Sequence, residues 1–491
     1  MNITHEPTKD VLKWFEEITK IPRCSKHEEK ICQWLLDWAK EHNFAARKDK
    51  VGNICISVPA SAGFEHAPIT VIQGHMDMVC EKTPDSTHDF TRDPIKLVYE
   101  GEWLTADRTT LGADNGIAIA MAMALATRTD VKHPPLELLF TVDEETGLTG
   151  ANSLEPGFIK GKILINVDSE DEGVFTVGCA GGINTTTEIP LKFEAVPAGY
   201  EQFRLVSGGM KGGHSGIDIA KEKANAIKIL GRTMDELVKK GIDLRLAYIK
   251  GGSAHNAIPR DAEAVIFFPR SEEDNVVKIV EDFERVVEGE FKNTDPDLEV
   301  KLDTGASKYE RAATASETRK VIDYIEAIPH GVDAMSTAIK DLVETSNNFA
   351  NIKIEDNKLK VLTSQRSSVV SRLHAHTSRI EALARLAGGK GMSGDGYPPW
   401  QPNMASPLLA KSKALYEKMF NKIPVVEVIH AGLECGIIGD KYPGMDMISI
   451  GPDLKYPHSP DEKVNVTSIG KVWEFIIELL KELKDYHPDL A

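Results

Sequence analysis

The sequence is poor in cysteine, in long apolar runs and in positive charge, and each shortage argues against a class of protein. Its six cysteines are scattered over 491 residues, and no two of them are spaced as C-x-x-C. We therefore expect reduced thiols rather than a disulfide framework or a zinc–cysteine cluster, which favours a cytoplasmic location. No segment approaches the roughly 18 apolar residues that a membrane helix needs, and no secretory leader is recognisable at the start.

The shortage of positive charge bears on possible partners. There are 58 lysines and arginines against 75 aspartates and glutamates, and the formal net charge is -17. Binding to nucleic acid depends on Lys and Arg side chains that displace counterions from the phosphates, and anionic membrane surfaces attract the same side chains. We therefore expect neither nucleic acid nor a membrane as a partner.

What the sequence does contain is a regular succession of helix and strand patterns. Two helix patterns open the chain, and Ser25 and Glu28 precede the second one with the spacing of a capping box. Short apolar runs then alternate with an alanine-rich helix pattern up to about residue 182. This alternation predicts an α/β sheet that is covered on both faces.

A different pattern begins near residue 186. Strand, helix, strand, strand and helix follow one another in the order of a ferredoxin-like α+β unit, and a second round of helix and strand patterns continues to about residue 394. The glycine- and proline-rich segment 388–402 is typical of a domain boundary. The sequence therefore predicts an α/β domain of residues 1–185 and 395–491, interrupted by an inserted α+β domain of residues 186–394.

The first sign of chemistry is a histidine and an aspartate, His75 and Asp77, at the end of an apolar run. Alternate side chains of a strand point to the same face, so these two polar groups are expected to meet. A histidine that binds a metal often has such a carboxylate behind it, but so does an ordinary buried histidine. The pair alone leaves both interpretations open.

Four other segments place carboxylates or a histidine at the ends of apolar runs. Asp114 stands before a helix, where a capping role is the alternative, and Asp168 ends a strand, where a turn is the alternative. Residues 143–145 are three carboxylates after an apolar strand, a costly arrangement unless a cation or a proton neutralises it. His458 lies between two prolines. Strand ends of α/β sheets bind ligands, so these side chains predict an N/O ligand set for a pair of divalent ions such as zinc.

In their order along the chain, five motifs resemble those of the co-catalytic metallopeptidases, the family of carnosinases, tripeptidase and aminoacylase. They are G-H-M-D (74–77), G-A-D-N-G (112–116), D-E-E-T-G (143–147), N-V-D (166–168) and P-H-S-P (457–460). The resemblance covers essentially the whole chain. It implies a mixed-sheet catalytic domain of the zinc exopeptidase type with an inserted lid. It also implies hydrolysis of unblocked dipeptides, including those with a C-terminal histidine, and a cofactor of two divalent ions, Zn²⁺ first and Co²⁺ or Mn²⁺ as alternatives.

The resemblance also implies a role for each motif residue. The expected ligands are His75 and Asp168 for one ion, Glu145 and His458 for the other, and Asp114 as the bridge. Asp77 is expected to orient His75, and Glu144 to act as the general base for the metal-bridging water. Family members hold a cis peptide bond after the bridging aspartate, so the bond from Asp114 to Asn115 is expected to be cis.

Two segments of the insertion, K-G-G-H-S-G (211–216) and G-G-S-A-H-N-A-I-P-R (251–260), match parts of the family lid. The resemblance suggests that His214 stabilises the oxyanion, although the neighbouring His255 competes for that role. The residues expected to receive the substrate's C-terminal carboxylate are Asn256, Arg366 and Gly432. Arg372 competes with Arg366, and a guanidinium suits the task because it binds a carboxylate in a bidentate manner.

Two other functions stay open at this point. An N-acyl amino acid amidohydrolase would keep the same metal site, but the aspartate at position 168 accompanies dipeptidases in this family, whereas glutamate accompanies carboxypeptidases and deacylases. A non-catalytic metal-binding protein would not need Glu144 beside Glu145. Short-lid members form homodimers whose partner supplies the lid histidine. The long, doubled insertion predicts that one chain completes its own site, with a homodimer as the alternative.

Overall fold

The computed structural model describes residues 5–304, 307–337 and 339–486. The chain forms two compact units. The first unit comprises Met1–Cys179, Trp400–Val428 and Leu433–Ala491, and the inserted unit comprises Ala180–Pro399 and Ile429–Gly432. These divisions lie a few residues outside the expected boundaries at 185/186 and 394/395, because a strand of the inserted unit already begins at Gly181. No helix in the described ranges combines the length and apolar character needed to cross a membrane.

The helices and strands are numbered in chain order. The helices are α1 Glu6–Ile18, α2 Glu29–Glu41, α3 Ala113–Thr127, α4 Glu144–Gly147, α5 Thr149–Ser153, α6 Ala226–Lys239, α7 Glu273–Phe291, α8 Ala315–Ala327, α9 Val370–Leu386, α10 Pro407–Phe420, α11 Glu434–Lys441 and α12 Val466–Glu482. The strands are β1 Ala45–Lys48, β2 Ile54–Val58, β3 Thr70–His75, β4 Leu97–Glu100, β5 Trp103–Ala106, β6 Leu136–Thr141, β7 Ile163–Asn166, β8 Val174–Cys179, β9 Gly181–Pro190, β10 Phe193–Ala195, β11 Tyr200–Gly208, β12 Gly213–His214, β13 Arg245–Gly251, β14 Ala257–Ile258, β15 Ala262–Pro269, β16 Glu299–Asp303, β17 Arg311–Ala313, β18 Gly331–Met335, β19 Val343–Glu355, β20 Lys358–Ser367, β21 Lys390–Ser393, β22 Val425–Ile429, β23 Asp446–Ser449, β24 Leu454–Lys455 and β25 Lys463–Asn465.

The first unit is built on an eight-stranded mixed sheet in the order β1-β2-β6-β3-β7-β23-β8-β22. Its middle strands β6, β3, β7 and β23 run parallel, and β3, β6 and β7 are buried along their whole length. Such strands are apolar on both sides because helices cover both faces of the sheet. The expected α/β class is therefore confirmed, and the parallel strands bring several carboxyl ends to one edge.

The inserted unit contains a nine-stranded sheet, in which β18 joins the path β16-β11-β15-β13-β19-β20-β9-β21 by pairing with β19. The path divides at the β13–β19 contact into two halves. The four strands of each half can be numbered in chain order. Moving outward from this contact, they then follow one another as second, third, first and fourth. This is the ferredoxin-like order, with α6 and α7 in one half and α8 and α9 in the other. The expected ferredoxin-like elements are therefore confirmed, and they occur twice.

The expectation that all six cysteines are reduced is wrong. Cys24 and Cys80 form a disulfide, with Cα atoms 5.7 Å apart. The segment before α2 runs beside the exit of β3, where Cys24 pairs with Met78 as an isolated parallel bridge. The pairing is invisible in the sequence because 56 residues separate the two cysteines. The other four cysteines are free and buried.

The expected capping box is also wrong. α2 begins at Glu29, its N-cap residue is Glu28, and no side chain caps its first turn. The Ser25 hydroxyl instead donates to Asp77, at 2.8 Å from Oδ2. Glu28 accepts the backbone N–H of Asp143 at 2.9 Å. Both side chains are used by the surroundings of the candidate site rather than by the helix that they precede.

Candidate functional site

The five predicted metal ligands come together at the carboxyl ends of the parallel strands. His75 ends β3, Glu145 follows β6 and Asp168 follows β7, while Asp114 lies in the first turn of α3 and His458 precedes β25. The spacings are 2.9 Å from His75 Nε2 to Asp114 Oδ1, 3.5 Å from His75 Nε2 to Asp168 Oδ1, 3.1 Å from His458 Nε2 to Asp114 Oδ2 and 2.9 Å from His458 Nε2 to Glu145 Oε2. Asp114 thus presents one carboxylate oxygen to each histidine.

The charges of this cluster fit cations. Burial acts to lower the pKa of His75, but the charge of Asp168 and the hydrogen bond to Asp114 outweigh it, so that the pKa is raised well above its ordinary value. Burial also raises the pKa of Asp168 and of Glu145. Glu145 Oε1 is buried and has no hydrogen-bond partner within the described residues. The donor set of imidazole nitrogens and carboxylates, with one buried carboxylate oxygen left without a partner, therefore suits divalent ions.

Glu144, the predicted general base, lies in the same cluster. Burial raises its pKa well above the ordinary value; His75 acts in the opposite direction, whereas Asp168 adds to the increase. A raised pKa brings a carboxyl group nearer to the range in which it can both accept and return a proton at neutral pH. Bound cations would lower this pKa again by their charge.

Asp77 contacts a predicted ligand, His75, and the segment that carries Glu144 and Glu145. Its Oδ1 is 3.2 Å from Nδ1 of His75, and it accepts the backbone N–H groups of Glu144 at 3.1 Å and Glu145 at 3.3 Å, besides the Ser25 hydroxyl. Burial acts to raise the pKa of Asp77, but these hydrogen bonds lower it to about 2, so the group is ionised at neutral pH. One carboxylate therefore sets the position of both the histidine and the Glu144 segment.

The backbone around the bridging aspartate is held by Asn115. Its Oδ1 accepts the N–H of His75 at 3.2 Å, and its Nδ2 donates to the carbonyl of Val167 at 2.7 Å, so it ties the end of β3 to the end of β7. A Cβ at Gly74 would lie 2.2 Å from this Oδ1, which explains the glycine of the first motif. The bond from Asp114 to Asn115 is cis, as expected.

His214, the predicted oxyanion donor, and Asn256, a predicted substrate-binding residue, lie side by side in the inserted unit. His214 in β12 pairs with Ala257 in β14, and the N–H of Ser215 donates to the carbonyl of Asn256 at 2.8 Å. His214 Nδ1 accepts backbone N–H groups from Gly216 and Ile217, both at 3.2 Å. The proton of the neutral ring is therefore on Nε2, which is left as a hydrogen-bond donor.

Burial and the positive charge of Arg366 lower the pKa of His214, which keeps the ring neutral at pH 7. Burial also lowers the pKa of His255, the competing histidine. His255 is exposed, whereas His214 is partly buried. The hydrogen bonds that set the tautomer of His214 distinguish the two.

Arg366 and Gly432 belong to the same part of the inserted unit. Arg366 is only 6% exposed and donates to the Tyr397 hydroxyl at 2.8 Å and to Ser215 Oγ at 3.4 Å. A Cβ at Gly432 would lie 2.8 Å from the Tyr397 ring, so this glycine is needed for the close approach. Arg372, the competing arginine, is half exposed and forms an ion pair with Glu344 at 2.7 Å. The structure thus brings Arg366 to His214 through Ser215 and leaves Arg372 with another partner.

Sequence reasoning missed three of these side chains. The sequence assigns Ser25 to a helix cap and Tyr397 to a boundary segment, and it gives Asn115 no role beyond the cis peptide bond of the G-A-D-N-G motif. The signal for Tyr397 is an aromatic residue between Gly396 and Pro398, in a segment whose glycines and prolines already account for a boundary. Nothing in the local pattern pointed to Ser25, because its partner lies 52 residues away.

The chain is similar to several known proteins. A family profile described as Peptidase dimerisation domain matches residues 207–295. Cytosol non-specific dipeptidase of Escherichia coli (strain K12) is 42% identical over 482 residues, which are 98% of each chain. The crystal structure of aminoacylhistidine dipeptidase from Vibrio alginolyticus matches with a TM-score of 0.89 and 39% identity, over 98% of this chain and 97% of that one.

A more distant structure supports the fold alone. The aminopeptidase PepT from Bacillus cereus superposes with a TM-score of 0.57 and 15% identity, over 97% of this chain and 98% of that chain. The resemblance to the co-catalytic metallopeptidases is confirmed by the much higher identity to the Escherichia coli enzyme, which extends over nearly the whole of both chains. The chain therefore belongs to the family of cytosol non-specific dipeptidases, also known as aminoacylhistidine dipeptidases.

Proposed function

We propose that this chain is a metal-dependent dipeptidase that hydrolyses unblocked dipeptides, including those with a C-terminal histidine. The observation that carries the proposal is the carboxylate of Asp114 lying between two histidines, with one oxygen 2.9 Å from His75 Nε2 and the other 3.1 Å from His458 Nε2. The names of the Escherichia coli and Vibrio alginolyticus relatives support the substrate class. The name of the former also supports a cytoplasmic location, which cell fractionation tests.

The cofactor that fits the donor set is a pair of divalent ions. His75 and Asp168 would hold one ion, Glu145 and His458 the other, and Asp114 would be shared between them. Zinc suits imidazole and carboxylate ligands, and cobalt or manganese are the alternatives. When bound, two such ions supply Lewis-acid polarisation of the scissile carbonyl and lower the pKa of the attacking water.

Glu144 is proposed to accept the proton of the attacking water and to return it to the leaving amine. The burial that raises its pKa supports this role, since a carboxyl group of raised pKa is a better proton acceptor. Asp77 is proposed to fix the positions of the His75 ring and of the Glu144 backbone through its hydrogen bonds to both.

The inserted unit is proposed to supply the remaining contacts to the substrate. His214 would donate its Nε2–H to the oxyanion, because its Nδ1 already accepts two backbone N–H groups. Arg366, with Asn256 and Gly432, would receive the C-terminal carboxylate. A buried guanidinium whose Nε has no partner within the described residues supports this assignment.

We also infer that one chain completes its own site. The dimerisation profile matches residues 207–295, which include β13, and β13 here pairs with β19 of the same chain. The edge of β13 is therefore already paired within the chain. This holds whether or not two chains associate as a homodimer through another surface. Dipeptides are the expected partners of the site, and no feature of the described residues favours nucleic acid or a membrane.

The enzyme alternative is an N-acyl amino acid amidohydrolase. Comparing alanyl-histidine with N-acetylhistidine as substrates of the purified enzyme tests the proposal. We expect hydrolysis of the free dipeptide and little of the acetylated amino acid. The opposite preference would contradict a dipeptidase, and no hydrolysis of either by the metal-loaded protein would favour a non-catalytic metal-binding protein.

A further inference from the structure

The backbone of the loop that carries Asp114 is hydrogen-bonded to a buried carboxyl group that has no role in the proposed mechanism. Glu462, only 2% exposed, accepts four consecutive backbone N–H groups. Its Oε2 accepts those of Leu111 at 2.8 Å and Gly112 at 2.9 Å, and its Oε1 accepts those of Ala113 at 2.8 Å and Asp114 at 3.2 Å. The last of these is the N–H of the residue whose side chain lies between the two histidines.

Four converging N–H groups require a special backbone. Gly112 has φ +71°, in the left-handed region that glycine adopts readily. This turn aims successive N–H groups at a single point, as in the backbone concavities that bind anions. The carboxyl group of Glu462 fills the concavity, and each of its oxygens accepts two N–H groups of the loop. Burial raises the pKa of Glu462 to about 7, whereas these hydrogen bonds favour the ionised form.

The opposite side of the same loop is held by a buried cation. Arg23 is 2% exposed and donates to the carbonyl groups of Gly112, Asp77, at 2.9 Å, and Met76, at 3.1 Å. Burial lowers the pKa of Arg23 to about 10, so the guanidinium is still charged at neutral pH. Gly112 therefore offers its N–H to Glu462 and its carbonyl to Arg23. The two opposite charges compensate each other across one peptide segment.

Glu462 is also close in sequence to a predicted ligand. It lies four residues after His458, and its own N–H donates to the carbonyl of Ser459 at 3.0 Å. One short loop thus carries His458 and, four residues later, the side chain that holds the backbone of Asp114. The Glu462 carboxyl group thus links the loop that carries His458 to the backbone of Asp114.

We propose that Glu462 is a positioning residue that sets the spacing of Asp114 and His458 and so prepares the site for the ion that these two residues share with Glu145. The proposal rests on the two-ion function proposed above. It concerns the ion near His458 more than the ion near His75, because His75 is held separately by Asp77 and Asn115.

The charge and the shape of Glu462 are both needed. A glutamine has one acceptor oxygen, and its NH₂ group would point at two of the backbone N–H donors. Two buried N–H groups would be left without a partner, and the loop would shift to relieve them. Asp461 is exposed and adjacent, so Asp461→Asn is a matched control that removes the same charge one residue away.

The test is a metal titration of the chelator-stripped protein with Co²⁺, followed by equilibrium dialysis and by the visible absorption of the bound ion. We expect wild type and Asp461→Asn to bind two ions. In Glu462→Gln the affinity for one ion should be unchanged and that for the other about tenfold or more weaker. His458→Ala is the positive control for loss of that ion. At saturating Co²⁺ the kcat of Glu462→Gln should recover, with KM for the dipeptide unchanged.

If Glu462→Gln binds both ions as tightly as the wild-type protein does, the positioning role is overturned. If the wild-type protein itself fails to bind a second ion or to hydrolyse dipeptides, the proposed function is overturned instead. Should Glu462→Gln not fold, Glu462→Asp, which keeps the charge but is one methylene shorter, is judged by the same criterion. Hydrogen exchange of the wild-type protein gives an independent measurement. The amides of residues 111–114 should stay protected after the metal is removed, and rapid exchange there would contradict the proposal.

Discussion

Nδ1 of His75, the last residue of β3, lies 3.2 Å from Oδ1 of Asp77, two residues beyond the end of the strand. The same carboxylate accepts the N–H groups of Glu144 and Glu145. Nε2 of His75 is thereby turned towards Asp114, at 2.9 Å from Oδ1. Asp77 thus links a predicted ligand, His75, to the segment that carries the predicted base, Glu144.

Removing either histidine should remove a different ion. His75→Ala should lower the affinity for the ion shared with Asp168, and His458→Ala the affinity for the ion shared with Glu145. Asp114→Asn should weaken both, because each oxygen of Asp114 faces one histidine. Metal analysis after dialysis against a fixed Zn²⁺ concentration measures this, and equal losses from both histidine variants would contradict two separate sites.

Glu144→Gln should keep its metal content but lose turnover by 10²-fold or more, the lower end of what a general base contributes. The amide has nearly the same shape as the carboxylate but cannot accept the proton. Steady-state kinetics with parallel metal analysis checks the prediction. Near-normal turnover with full metal would make Glu144 a structural residue.

Arg366→Lys should raise KM for a dipeptide by about 10- to 100-fold, since a hydrogen bond to a charged group contributes roughly 1.5–3 kcal/mol. The effect should disappear for the same dipeptide with an amidated C-terminus, which has no carboxylate to bind. Arg372→Lys is the matched control, because Arg372 pairs with Glu344. An increase of KM in the control but not in Arg366→Lys would assign the carboxylate to the other arginine.

His430 should make the protein sensitive to acid. Burial and the positive charge of Arg366 lower the pKa of His430 to about 3 in the folded protein, where its Nε2 lies 2.7 Å from Ser346 Oγ. In the unfolded chain the pKa is about 6.5. Between these values the unfolded chain binds a proton that the folded one does not. The free energy of unfolding therefore falls as pH decreases from about 6.5 towards 3, by about 2 kcal/mol at pH 5.

Urea unfolding at pH 7.5 and pH 5 checks this expectation for wild type, His430→Asn and, as a control, His66→Asn at an exposed position. His430→Asn should lose less stability on acidification than wild type, by about the same 2 kcal/mol. His66→Asn should behave as wild type. Identical losses in all three proteins would show that other groups cause the acid sensitivity.

Mixing two inactive variants tests whether one chain completes its own site. Under either arrangement His214→Ala should lose about 10² to 10³ in turnover, the usual cost of removing an oxyanion donor. If each chain is complete, mixed assemblies of Glu144→Gln and His214→Ala subunits stay inactive. Recovery of activity after mixing would show that His214 serves a neighbouring chain.

The five predicted ligands could be found in the sequence because their motifs resemble those of a known family. His75, Glu145 and Asp168 also follow apolar strands, whereas Asp114 begins a helix and His458 lies between two prolines. Asp77, two residues beyond the end of β3, meets His75 as the two-residue spacing predicts, and the parallel strands β3, β6 and β7 bring their carboxyl ends to one edge. Both rules act over a few residues or over neighbouring strands. Ser25 and Glu28 show the limit, because a spacing typical of a helix cap serves contacts to Asp77 and Asp143 instead.

By itself, the sequence determined the class of fold, the doubled insertion and the residues at the strand ends, because helix and strand periodicity and short motifs are local properties of the chain. Only the tertiary structure decided that Cys24 bonds to Cys80, that Tyr397 lies against Arg366 and that Glu462 holds the loop of Asp114. Glu462 and Asp114 are separated by 348 residues. Such contacts depend on how distant segments pass one another in the folded chain, and that path leaves no periodic trace in the sequence.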